Sequence, residues 1–144
     1  MARLQIFLAA LWWGSLTAVG VWVVPMLFMH LATPAMAGQM AAKLFSAQTW
    51  LALGCGILLL LAATRENFKR PDTPSIWVMA GMLLALLIEL AVKPHIMSRE
   101  NLALWHNLGS AFYLLQWLCA GKVLWALGPA RAEPAIAAGP VQTD

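Results

Sequence analysis

Apolar residues in this chain gather into four long blocks with few charges inside them, rather than alternating with polar residues. The blocks cover about residues 4–31, 35–64, 75–95 and 100–127. Each reaches the roughly 20 residues that an α-helix needs to cross the hydrocarbon core of a bilayer. In that solvent each backbone N–H and C=O must find its partner within the protein, so an apolar block of this length is read as a helix. The expected fold is therefore all-α, a four-helix transmembrane bundle forming one domain over 1–128.

Prolines and glycines punctuate the blocks. Pro34 suits a first helical turn, Pro71 and Pro74 precede the third block, Pro94 closes it, and Gly128-Pro129 stops the fourth. Pro25, near the far end of the first block, predicts a kink or a frayed last turn. Ala35-Met36-Ala37 has the A-x-A form of a signal-peptidase site, but the apolar run before it is about twice the 7–15 residues of a signal core. The first and third joints are only a few residues long, so consecutive helices should be antiparallel, in up-down-up-down order. Residues 129–144, rich in Ala, Pro and Gly without periodicity, read as a disordered tail.

Composition agrees with lipid as the solvent: 62% of the 144 residues are hydrophobic and 10% charged, against about 25% charged in soluble domains. The net charge of +3 comes from scattered Lys and Arg, clustered only at Arg65 to Arg70 beside a helix end. That pattern argues against a nucleic-acid partner and for a topology signal. Alternating topology puts Arg3, Arg65, Lys69, Arg70, Lys122 and Arg131 on one side and Lys43, Lys93 and Arg99 on the other. Six against three predicts cytoplasmic termini. Trp77 and Trp125 then mark the inner interface and Trp105 the outer one, while Trp12, Trp13, Trp22, Trp50 and Trp117 are expected to pack. Gly14/Ala18, Gly38/Ala42 and Gly81/Ala85 form small-xxx-small pairs, expected at close helix contacts.

Polar side chains at membrane depth are the candidates for chemistry. Lys43, Glu89 and His106 should fall at similar depth near the outer boundary, as an intramembrane polar layer that either handles protons or ions or clamps three helices in register. Glu89 also has Lys93 four residues on, the favourable order for a helical ion pair. A second pattern collects Met26, Met29, His30, Met36, Met40, His95 and Met97 at the same end. Thioethers with imidazoles suit copper(I), although methionine is equally a filler of irregular gaps. Cys55 and Cys119 lie inside apolar runs and read as inert buried thiols. No nucleophile with its base, phosphate loop or zinc spacing is recognisable, so enzyme activity has no positive support.

Several stretches together suggest a family: Trp13-Gly14-Ser15, Val24-Pro25-Met26-Leu27-Phe28, Ala37-Gly38, Lys43-Leu44-Phe45, Lys93-Pro94 and Trp105-His106-Asn107-Leu108-Gly109-Ser110. In these the chain resembles the bacterial membrane proteins grouped with transmembrane protein 205, which share the domain of unknown function 4149. The resemblance implies a four-helix membrane protein with Lys43 and His106 at family-pattern positions, and no mechanism. Asn107-Leu108 departs from the family's usual Gly after the histidine. The segment Pro25 to His30 is also distantly similar to the first helix of copper-resistance D-type proteins and of a bacterial protoporphyrinogen oxidase. Haem in such proteins is held by a histidine deep in the first helix, whereas here no histidine precedes His30.

The resulting expectation is a non-enzymatic protein of the bacterial inner membrane, of unknown biochemical role. It would act through membrane-protein partners, as a homo-oligomer, or in small-solute or metal handling, with the lipid bilayer as its surroundings and no resident cofactor. The alternative is a copper- or haem-binding membrane protein with its site at the periplasmic rim.

Overall fold

The computed structural model describes residues 2–66, 73–98 and 101–128. The tail 129–144, the segment 67–72 with Lys69 and Arg70, and Arg99 and Glu100 lie outside the described residues. Four helical spans, Arg3–His30, Pro34–Ala63, Pro74–Ser98 and Leu102–Leu127, are long and apolar enough to cross a membrane.

The first and third spans are not regular helices throughout. Span one consists of α1 (Ala2–Thr17), a π turn (Ala18–Val23) and α2 (Val24–His30). Span three consists of α4 (Thr73–Leu87), a π turn (Ile88–Val92) and α5 (Lys93–Ser98). Spans two and four are the single helices α3 (Pro34–Glu66) and α6 (Leu102–Leu127). Both π turns have the same cause. Pro25 and Pro94 are each the second residue of the helix that resumes after the π turn. A proline has no N–H to give the carbonyl four residues back, and its ring collides with that carbonyl. Widening the preceding turn by one residue relieves the collision without ending the helix. Pro94 therefore does not close span three near residue 95 as expected, and the helix continues to Ser98.

The joints are built as the sequence suggests. Thr33 caps α3, its hydroxyl accepting from the Met36 amide at 3.2 Å, with Pro34 in the first turn where a missing N–H costs nothing. Asn101 enters α6 with φ 43°, a left-handed conformation that asparagine tolerates better than most residues. It moves the start of span four from about 100 to Leu102.

Each span packs against its neighbours in sequence, and α6 closes against α1, making a ring of four. Trp12, fully buried, fills its centre. Its ring lies against Gly81 of α4, where an added Cβ would come within 2.7 Å of Trp12 Cη2. Ala9, Leu16, Ala52, Ala85, Ala120 and Val123 complete the core around it. The exterior is the reverse of a soluble protein's: Phe7, Trp22, Trp50, Leu90 and Trp125 are among the large apolar side chains left exposed. In water such a surface would aggregate; in a bilayer it faces acyl chains.

Two expectations need correction. Trp22 and Trp50 do not pack, being 70% and 69% exposed; an indole at membrane depth is as well solvated by lipid as by protein. Of the small-residue pairs only Gly81/Ala85 lies at a close helix contact. Gly14 and Gly38 have nothing near the position of a Cβ, whereas Gly20, Gly56 and Gly121 meet Tyr113, Met82 and Trp13 within 3.1 Å. What selects glycine here is a large side chain arriving from the opposite helix, which four-residue spacing within one helix does not reveal.

Candidate functional site

Glu89 sits in the second π turn, about 13 Å along the helix from Ser98 at 1.5 Å per residue. At a similar distance from the start of α3 is Lys43, with Ser46 one turn further on. The carboxylate pairs with Lys93, Nζ to Oε1 being 2.5 Å. Ser46 joins the pair from α3: Lys93 Nζ donates to Ser46 Oγ at 2.6 Å. The serine hydroxyl donates its one proton towards Glu89 Oε2 at 2.9 Å, with the Ala42 carbonyl at 3.1 Å as the competing acceptor. A charged pair and a hydroxyl thus bind the second and third spans together. The π turn contributes by keeping Val92 in the core while Glu89 and Lys93 both reach Ser46.

Beside this cluster lies an open-sided cavity of about 450 Å³ lined by Gln39, Ala42, Lys43, Ser46, Lys93 and Met97. Gln39 and Lys43 are one turn apart on α3, and both are exposed. Among the described residues Lys43 makes no hydrogen bond or ion pair. The structure therefore brings Lys43 to the same cavity as the Glu89–Lys93 pair, while Glu89 itself is bonded to Ser46 and Lys93. His106 is elsewhere: it is exposed on α6, and the Ser110 hydroxyl donates to its backbone carbonyl at 2.9 Å. Among the described residues no hydrogen bond links its ring to Lys43 or Glu89.

The methionine and histidine set lies largely on the exposed exterior. Met26, Met29, Met36, Met40 and Met97 are all exposed. The His30 ring is engaged with its own helix, Nδ1 lying 3.0 Å from the Met26 carbonyl, and His95 stacks on Trp105 with ring centroids 4.0 Å apart. Among the described residues no group of three or more His, Cys, Asp or Glu side chains is arranged to hold a metal ion. Cys55 and Cys119 are buried free thiols.

A further set of polar contacts, not singled out by the sequence, occupies the middle of the bundle. Gln48 Nε2 donates to Ser15 Oγ at 3.0 Å between α3 and α1, and Trp117 Nε1 to Thr17 Oγ1 at 2.8 Å between α6 and α1. Tyr113 Oη donates to the Leu16 carbonyl at 2.8 Å. Leu16 is the second-last residue of α1, so the tyrosine hydroxyl bonds the backbone immediately ahead of the π turn. Gly20 has no Cβ because the ring lies there: an added one would be 2.7 Å from Tyr113 Cε1. The Trp12 indole nitrogen and the Gln116 amide nitrogen are buried without a hydrogen-bond partner among the described residues. The signal for Tyr113 was in the sequence, as the only tyrosine of the chain, set among apolar residues where its hydroxyl needs a partner.

Together the spans and their internal ion pair define a four-span membrane protein that carries charge inside the bundle. The chain belongs to the family of the domain of unknown function DUF4149, whose model matches residues 7–104. That range holds the first three spans and the whole Ser46–Glu89–Lys93 cluster, in agreement with the resemblance noted from the sequence. No curated protein and no solved structure matches the chain.

Proposed function

We propose that this protein is a non-enzymatic component of the bacterial inner membrane that holds a small polar solute or ion in the cavity beside Ser46, Glu89 and Lys93. The observation that supports this reading is the placement of the ion pair. Ionisable side chains at membrane depth are costly and are retained where they pair or serve a pathway. Here Lys93 of the pair lines an open-sided cavity, which a clamp between two helices does not need. By the distribution of Lys and Arg both chain termini lie on the cytoplasmic side, so the cavity belongs to the periplasmic half.

The test uses thiol access. The two native cysteines are buried, so the parent sets a low background for a membrane-impermeant maleimide added to intact spheroplasts. Ser46→Cys should be labelled there, as should Gln39→Cys at the cavity mouth. Labelling of Q39C without S46C would show a sealed clamp and overturn the site. Labelling of both only in inside-out vesicles would reverse the orientation, and reporter fusions at Asp144 and near Lys69, both expected to report cytoplasm, check it independently.

A further inference from the structure

Among the described residues the charges around the cavity do not balance. Lys93 is matched by Glu89 at 2.5 Å, which leaves Lys43 as a positive charge lining the same space. Its amine has no hydrogen bond or ion pair among the described residues, and neither does the amide of Gln39 one helical turn away on the same face. A lone cation at the edge of the hydrocarbon region draws an anion more strongly than it would in water, because the surrounding dielectric is low. Lysine binds phosphate as a point charge, and Gln39 would add a neutral donor. The walls also include Ala42 and the exposed Met97, an apolar side suited to the carbon skeleton attached to an anionic head.

We infer that the cavity between α3 and α5 is a binding site for a phosphate-bearing ligand of net charge −1, recognised by Lys43 and Gln39 and backed by Ser46 and Lys93. One charge on the ligand matches the surplus of one among the described residues that line the cavity or pair with its lining. A phosphodiester headgroup fits this best: Lys43 lies about 13 Å from the start of a 33-residue helix. Such a helix, about 50 Å long, exceeds a hydrocarbon core of about 30 Å and projects beyond it. Lys43 then falls close to the boundary where lipid phosphates sit, and its alkyl stem lets the amine reach it. Free phosphate offers the same chemistry. This inference rests on the cavity being the functional site, and it names the ligand that site takes.

Native mass spectrometry of the full chain in detergent, with phosphatidylglycerol, phosphatidylcholine, inorganic phosphate or sodium chloride added, tests it. The parent should retain phosphatidylglycerol, inorganic phosphate or both in preference to the zwitterionic lipid and the chloride control. Retention of the lipid alone assigns a headgroup, and retention of phosphate alone assigns a soluble anion. Lys43→Gln should weaken the retained species by about tenfold or more, the loss of one charge-assisted contact. Lys43→Arg should keep it, and Lys122→Gln, exposed near the other end of α6, should not matter. Because Lys43 is exposed, K43Q should melt with the parent, which separates lost binding from lost fold. Equal binding by K43Q and parent, equal binding of phosphatidylcholine, or no retention beyond the chloride control would overturn the inference. If S46C is labelled while K43Q binds normally, the anion assignment fails and the accessible site stands.

Discussion

Tyr113→Phe removes one oxygen and leaves the ring that fills the space over Gly20. What it exposes is a backbone defect. The Tyr113 hydroxyl donates to the Leu16 carbonyl at 2.8 Å, just ahead of the π turn, so that carbonyl loses its partner from α6. Interhelical hydrogen bonds in membranes average about 0.6 kcal/mol with a maximum near 1.7. The one such contact should therefore cost about 0.6–1.7 kcal/mol. Reversible unfolding in mixed micelles would measure that loss, and hydrogen exchange at the Gly20 amide should accelerate by about tenfold for every 1.4 kcal/mol lost locally. Gly20→Ala should cost at least as much, since its Cβ would stand 2.7 Å from Tyr113 Cε1. Combined with Tyr113→Ala, which vacates that space, it should cost less than the sum of the two single changes. A Y113F protein with parental stability and unchanged exchange at Gly20 would refute the idea that the hydroxyl holds the π turn open.

Gly81→Ala should destabilise by about 1–3 kcal/mol in the same unfolding assay, as overpacking does, because its Cβ would meet Trp12 Cη2 at 2.7 Å; Gly38→Ala, with nothing nearby, should be close to neutral. Glu89→Leu alone should destabilise more than Glu89→Leu with Lys93→Leu, since the single change strands an ammonium and the double change removes the pair; the reverse order would mean that Lys93 is already solvated by water or lipid phosphate. Copper content of the purified protein should be the same for the parent and for Met26→Leu with Met29→Leu, because both thioethers are exposed and Leu replaces Met at nearly equal volume. A drop in bound copper in that variant would restore the methionine rim as a ligand set.

The number of spans was legible because it depends on bulk composition over about 20 residues, and lipid offers the backbone no other solution than a helix. The details that needed the structure are those in which one span answers another. Pro25 and Pro94 announce an irregularity, but whether the helix breaks, kinks or widens depends on whether a neighbour can satisfy the opened backbone. At Pro25 the neighbour is Tyr113, 97 residues from Leu16 in sequence. The polar site divides in the same way. Depth along the helices is additive in the sequence, so Lys43 and Glu89 could be placed at one level, and the Glu89–Lys93 pair followed from spacing within one helix. Rotation about each helix axis is not additive once a π turn resets it by about 100°. That unread rotation brings Ser46 of α3 onto both charges of span three, while His106, at a similar level, remains exposed on α6. Serine gives little warning of such a role, since it can bond back to its own helix, as Ser46 also does with the Ala42 carbonyl at 3.1 Å. The residue that makes the ion pair interhelical is therefore one whose local alternative is almost as good. For that reason the cluster can loosen between α3 and span three without stranding a hydroxyl, and Glu89 with Lys93 would still hold each other within their own span.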